Sequence, residues 1–279
     1  MKIRLVIGSF FLISFYSMKA QESFSAYMNL KTEPTDKIDF TESSIGISFN
    51  KKISSRNKLT NTLEYSNLQV DYELDSNEEA MNLNRFNQIQ NRFEISHELS
   101  NTTNLNFSII PTANFQSNLN INDLSLLGSF EVNQQLNSKT TINIGVARTT
   151  IMGNPKFLPT LSLNYKISNE SNLLIGYPNS KISYSNNIRN QFSLTNRFNG
   201  NYYHIDAHNL DNNASKVTLS QMSSAFEYER NVDKNWFLNF KAGYDFDKKY
   251  NIIDDQNHKV YDFNTGNGYI LGIGIKYKQ

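Results

Sequence analysis

The sequence predicts an all-β fold: a transmembrane, antiparallel, up-and-down β-barrel of about 14 strands, with about 12 as the alternative. Three observations predict it. Segments with an apolar residue at every second position recur along the chain, separated by polar turns. After the N-terminal 20 residues there is no second long apolar run and no convincing amphipathic helix. Finally, Tyr269, Leu271, Ile273, Ile275 and Tyr277 alternate with Gly268, Ile270, Gly272, Gly274 and Lys276. A strand there carries an aliphatic stripe bounded by aromatics on one face and mostly small or polar residues on the other, which suits a wall between lipid and a lumen.

Composition fits this architecture. The 279 residues are 38% hydrophobic, with a mean hydropathy of -0.53. A helical membrane protein needs runs of about 20 apolar residues, whereas a barrel strand needs only alternate ones. The 41 asparagines suit turns and a polar lumen, and 13% aromatic content argues against disorder. Cysteine is absent, which excludes disulfides, thiolate metal sites, a cysteine nucleophile and lipid attachment through an N-terminal Cys. The formal charge of +1 becomes about -2 without Lys2, Arg4 and Lys19, a balance that points to no nucleic acid.

Residues 1–20 read as a signal peptide and residues 21–279 as the barrel. Lys2 and Arg4 precede an apolar core from Leu5 to Tyr16, too short for a membrane span, and cleavage is expected after Ala20. Strands are expected to begin near residues 23, 40, 58, 85, 105, 122, 139, 157, 172, 180, 190, 216, 235 and 264. Ile45, Ile47 and Phe49 mark the second, and Leu59, Leu63 and Tyr65 the third. Ile89, Phe93, Ile95 and Leu99 mark the fourth, and Leu105, Phe107 and Ile109 the fifth. Leu161, Leu163 and Tyr165 mark the eighth. Trp236, Leu238, Phe240, Ala242, Tyr244 and Phe246 form the clearest stripe, facing Asn239, Lys241, Asp245 and Asp247. Connections near 54, 101, 138, 169, 188 and 232 are short. Those near 34, 78, 118, 152, 208 and 257 are longer or more polar, which assigns the first set to the periplasm and the second to the exterior.

The ending Gly272-x-x-Ile275-x-Tyr277 resembles the C-terminal signal of Gram-negative outer-membrane barrels. It departs from that signal at Ile270, where a polar residue is usual, and in the trailing Lys278 and Gln279. The stretch from Asn172 to Tyr184, with Gly176-Tyr177-Pro178-x-Ser180-x-Ile182-x-Tyr184, resembles an uncharacterised outer-membrane β-barrel family of Gram-negative bacteria, a domain of unknown function. Ser224 to Tyr228 followed by Trp236 to Tyr250 is similar to that family's C-terminal strand pair. The resemblance implies barrel and location, and brings no catalytic residue. Pro178, lacking an N–H, is expected to form a tight external bend.

Chemistry-bearing patterns are few. The chain has no Gly-rich phosphate loop, no H-E-x-x-H and no G-x-S-x-G. His204, Asp206 and His208 would share a face of an extended segment and could ligate a metal, but they fall in an expected external loop and read as solvated polar residues. Asp71, Glu73, Asp75, Glu78 and Glu79 could hold divalent cations bridging lipopolysaccharide phosphates, or form a charged rim. His97 shares lipid-facing parity with Ile95 and Leu99. Lys241, Asp245 and Asp247 are expected to line the lumen. No catalytic, cofactor or metal residue is therefore assigned. The expected partners are outer-membrane lipid and lipopolysaccharide, the barrel-assembly machinery during insertion, and small polar solutes. The expected role is a passive or weakly selective pore. The alternatives are a structural or surface-interaction barrel and a lipid-modifying enzyme.

Overall fold

The computed structural model describes residues 23–72, 83–206 and 214–279. Its strands are β1 Ser23–Pro34, β2 Ile38–Lys52, β3 Asn57–Tyr72, β4 Arg85–Ser100, β5 Thr103–Phe115, β6 Leu124–Gln135, β7 Thr140–Thr149 and β8 Lys156–Lys166. They continue as β9 Ser171–Tyr177, β10 Asn179–Asn187, β11 Asn190–His204, β12 Ala214–Asp233, β13 Trp236–Asp254, β14 Lys259–Asp262 and β15 Gly268–Lys278. Strands β1 to β13 pair in sequence order, and β15 pairs antiparallel with both β13 and β1. The result is a closed barrel of 14 strands, with β14 a short extra strand on the far end of β13. Closure leaves no ladder edge within the wall, where each unpaired backbone group would cost several kcal/mol against lipid.

Side-chain alternation is regular through most of the wall. Met28, Leu30, Ile45, Ile95, Phe107, Leu126, Phe130, Ile144, Leu161, Ile175, Leu194, Phe226, Phe240, Leu271 and Ile273 are all exposed on the outer face. That apolar belt is what a bilayer covers. Trp236 and Tyr277 meet edge to face at one end of the β13–β15 pair, and Tyr244 and Tyr269 do so nearer the other, bracketing the aliphatic stripe. Ile270 departs from the small-or-polar inner face because it is fully buried inside the barrel, opposite Gly243.

The two ends differ. Short hairpins at residues 53–56, 101–102, 136–139, 167–170, 188–189 and 234–235 define a turn end. The other, loop end carries most of the longer connections. The first of these is tighter than its sequence suggested: Thr35, Asp36 and Lys37 alone link β1 to β2, with the Thr35 hydroxyl donating to the Ile38 carbonyl at 2.7 Å. Pro178 alone links β9 to β10, as a cis peptide after Tyr177.

Strand length then shapes the molecule. Strands β6 to β10 have 12, 10, 11, 7 and 9 residues, whereas β11, β12 and β13 have 15, 20 and 19. Where the short strands stop, β5 and β11 meet directly, pairing parallel at Phe115 and His204. The barrel therefore narrows towards its loop end, leaving β1–β5 and β11–β13, with β14 and β15, around it. The β7–β8 loop fills the step: the Thr150 hydroxyl donates to the Gly200 carbonyl at 2.8 Å, and Gly153, at φ +82°, packs on Thr218.

One irregularity corrects a sequence expectation. The β12–β13 register slips between Ser220 and Met222, and opposite it Asp247 adopts φ 48°. This extra residue is a β-bulge that reverses parity along the rest of β13. Asp247 thus points outward, exposed and paired with Lys249 at 2.9 Å, instead of lining the lumen. Lys248 and Tyr250 turn inward in its place, fully buried.

Candidate functional site

The lumen has three layers. Around the turn-end half, inward positions are short and polar and bond across strands. Thr62 donates to Ser48 at 2.9 Å, Ser108 and Ser129 lie 2.9 Å apart, and Asn143 donates to Ser162 at 2.9 Å. Tyr27 lies across Gly46, where a Cβ would come within 2.3 Å of its ring, and donates to Glu64, which also accepts from Gln90 at 2.7 Å. Small residues on the inner face leave space open, and a cavity of about 330 Å³ lies against the β10–β13, β15 and β1 wall. Lys31, Lys181, Arg197, Glu227 and Lys241 line it. A second opening of about 460 Å³ lies at the turn-end rim beside Glu170, Arg189 and Glu229.

Above the cavity sits a buried ionic layer. The Lys248 ammonium contacts Glu33 at 2.8 Å and Asp245 at 3.3 Å, with all three side chains at most 3% exposed. Lys31 bridges Glu33 at 2.8 Å and Glu42 at 2.7 Å. Ser223 donates to Asp245 at 2.6 Å, and Gln221 to Glu33 at 3.1 Å. Buried charges survive only when paired and hydrogen-bonded, and each of these has two or more partners. Lys248 also lies 4.3 Å from the centre of the Phe40 ring, which joins this layer to the next.

The third layer is apolar. Ile38, Phe40, Leu68, Val70, Phe86, Tyr203, Val217, Leu219, Tyr250 and Ile252 point inward from β2, β3, β4, β11, β12 and β13 into one buried cluster with Phe263. Phe86 stacks on Tyr203 across the barrel at 5.0 Å between ring centres, and Phe40 meets Tyr250 edge to face at 5.2 Å. The Tyr72 and Tyr250 hydroxyls lie 2.8 Å apart. Beside the Phe86–Tyr203 stack, Gln88 donates to Asn114 at 2.7 Å and to Asn201 at 3.3 Å. Small barrels pack their interiors with side chains, and this narrowed end does the same.

The residues singled out by sequence are distributed unevenly. Lys241 and Asp245 both face the lumen, Lys241 on the cavity and Asp245 in the ionic layer. His204 ends β11 and approaches Asp123 at 3.9 Å. Asp206 lies beyond the strand end, accepting from Asn118 at 3.4 Å, so extended alternation does not bring it to His204. His208 lies outside the described residues, as do Glu73, Asp75, Glu78 and Glu79. Asp71 is exposed at the end of β3. No group of three metal-ligating side chains occurs among the described residues. His97 bonds Asn57 at 2.8 Å near the turn end. In the loop-end β13–β14 hairpin, the Lys259 ammonium and the Asn264 amide hold the Asp262 carboxyl below its ordinary range.

Glu33, Lys248 and the apolar closure were missed by sequence reading. A signal for the closure exists: apolar positions in β2 and β3 are odd-numbered up to Ile45 and Tyr65 but even-numbered at Ile38, Phe40, Leu68 and Val70. That switch moves the apolar face from lipid to lumen.

Residues 105–278 match a family model described as Domain of unknown function (DUF6268). Among solved structures, the chain is similar to an outer membrane channel from Pseudomonas putida F1, with 8% identity over 94% of this chain and 97% of that one, at a TM-score of 0.52. It is also similar to a deltaS2 mutant of the TodX monoaromatic hydrocarbon channel, with 9% identity over 93% and 90% of the two chains and a TM-score of 0.50. At these identities the likeness is one of fold. No curated protein matches the chain.

Proposed function

The chain belongs to the DUF6268 family, whose description assigns no activity, and from that premise we propose that it is a Gram-negative outer-membrane pore for small polar solutes, passive or weakly selective. The carrying observation is the polar turn-end lumen with its 330 Å³ cavity inside a 14-stranded wall. Barrels of that size enclose more space than side chains fill, unlike those of about eight strands. The channel described for Pseudomonas putida F1 shares this fold, which supports a pore over an enzyme. The apolar closure and the ionic layer beneath it are the narrow step for anything that passes.

Outer-membrane lipid contacts the apolar belt, the barrel-assembly machinery inserts the chain, and lipopolysaccharide meets the loop end. The reading is tested by refolding the protein into a planar bilayer and into sugar-loaded liposomes. Small, intermittent currents and slow swelling with the smallest sugars are expected. A folded, heat-modifiable barrel that neither conducts nor admits any sugar would replace the pore with a structural or surface-interaction barrel, a reading that the packed closure itself favours.

A further inference from the structure

We propose that the lumen cavity beneath the ionic layer is a binding site for the oxyanion of a small solute, a carboxylate or phosphate group held between Lys241 and Arg197. This names the solute class for the pore reading and rests on it. Of the six charged residues lining the cavity, Lys31, Lys181, Arg197 and Lys241 are cationic and Glu227 and Glu229 anionic. The cations differ in how far they are committed. Lys31 is held by Glu33 and Glu42, and Arg197 donates to Glu227 at 3.2 Å with one nitrogen of its fork. Lys241 has no hydrogen bond or ion pair among the described residues, and neither has Lys181.

Backbone register explains why Lys241 is free to serve a ligand. It pairs across β13 and β15 with Gly272, which pairs on its other side with Lys31. Two lysines therefore flank a glycine on the inner face of three adjacent strands. At about 4.8 Å per strand, their Cα atoms lie about 10 Å apart. A side chain at Gly272 would begin 3.3 Å from the Lys241 Cβ and occupy the space between them. Across β12, Lys241 pairs with Glu227, whose carboxylate is already taken by Arg197. A half-buried ammonium with no hydrogen bond or ion pair among the described residues, beside a guanidinium with donors to spare, in a cavity walled by polar side chains, is the chemistry that receives an oxyanion.

The test is equilibrium binding by calorimetry to refolded protein in detergent micelles, with succinate and inorganic phosphate as probes and uncharged succinamide as control. Binding of at least one anion is expected, weakening as salt rises, with succinamide silent. K241Q and R197Q should each weaken it roughly tenfold or more, while K241R retains it and K249Q, on the outer face, leaves it unchanged. Comparing succinate with phosphate separates a carboxylate from a phosphate preference. Absence of binding by both anions, equal binding of succinamide, or indifference to salt and to both glutamine variants would overturn the proposal. Micelle binding requires no passage through the barrel, so an anion bound by a silent barrel refutes the pore and leaves the site. Swelling without binding does the reverse.

Discussion

Phe240 and Lys241 are neighbours in sequence and face opposite media, Phe240 being exposed on the apolar belt while Lys241 lines the cavity. Replacing Phe240 by Arg should cost about 2–4 kcal/mol if the residue sits near the bilayer midplane. Lys241→Ala should leave folding nearly unchanged, because it removes a cation that makes no hydrogen bond or ion pair among the described residues. Urea titration of the refolded barrel measures both, and equal losses would refute the assignment of faces. Lys248 is the opposite case. Among the described residues it alone joins Glu33 to Asp245, and all three are buried. Lys248→Met leaves the buried Asp245 without its cation and Glu33 with Lys31 alone, and should destabilise by about 3–5 kcal/mol. Adding Glu33→Gln and Asp245→Asn should recover most of that loss in the same titration. If the triple variant is as unstable as the single one, the methionine fails by packing and the ionic account is wrong.

Strands were readable from the sequence because period-two alternation is a local property, and the expected strand starts fall close to the observed ones throughout the chain. What alternation could not supply is an exception to itself. The bulge at Asp247 is carried by a non-glycine residue at positive φ, next to two lysines that read equally well inward or outward. The sequence stripe therefore ran on to place Asp247 in the lumen and left Lys248 unnoticed. Deleting Asp247 should restore regular alternation and leave Lys248 and Tyr250 inward, because Phe246 faces out and Lys248 then takes the next, inward position opposite Gln221. The barrel should therefore keep both its ionic layer and its closure, and a cysteine placed at position 250 should stay protected from lipid-soluble reagents. Exposure of that cysteine in the shortened chain would refute the assignment of Asp247 as the extra residue. Asp247→Gly is expected to fold as well as the natural chain or slightly better, since glycine adopts positive φ without strain.

At the scale of the molecule, strand number and the closing of the wall into a barrel were legible, whereas the narrowing and the apolar plug were not. Nothing local announces that β5 will meet β11, because that contact follows from five short strands ending below their longer neighbours, a difference distributed over some 60 residues. The N-terminal segment lies outside the described residues. Cleavage after Ala20 remains an expectation from its charged start and short apolar core, and N-terminal sequencing of membrane-extracted protein should begin at Gln21. The consequence of the narrowing is functional. Phe86 and Tyr203 stack across the loop end, while Phe40 and Tyr250 pack beside them over the ionic layer. If this packing limits conduction, removing it should open the pore without touching the cavity below. Tyr203→Ala with Tyr250→Ala removes two of the largest fully buried side chains. Core truncations of this kind cost about 3–5 kcal/mol each, so the variant must first be shown to fold by its heat-modifiable mobility. A folded double variant should conduct with larger and steadier currents than the natural chain and admit larger sugars into liposomes. Its succinate or phosphate affinity, set by Lys241 and Arg197 lower in the lumen, should be unchanged. Unaltered currents in a folded double variant would mean that solutes, if they cross at all, do not pass through the loop end.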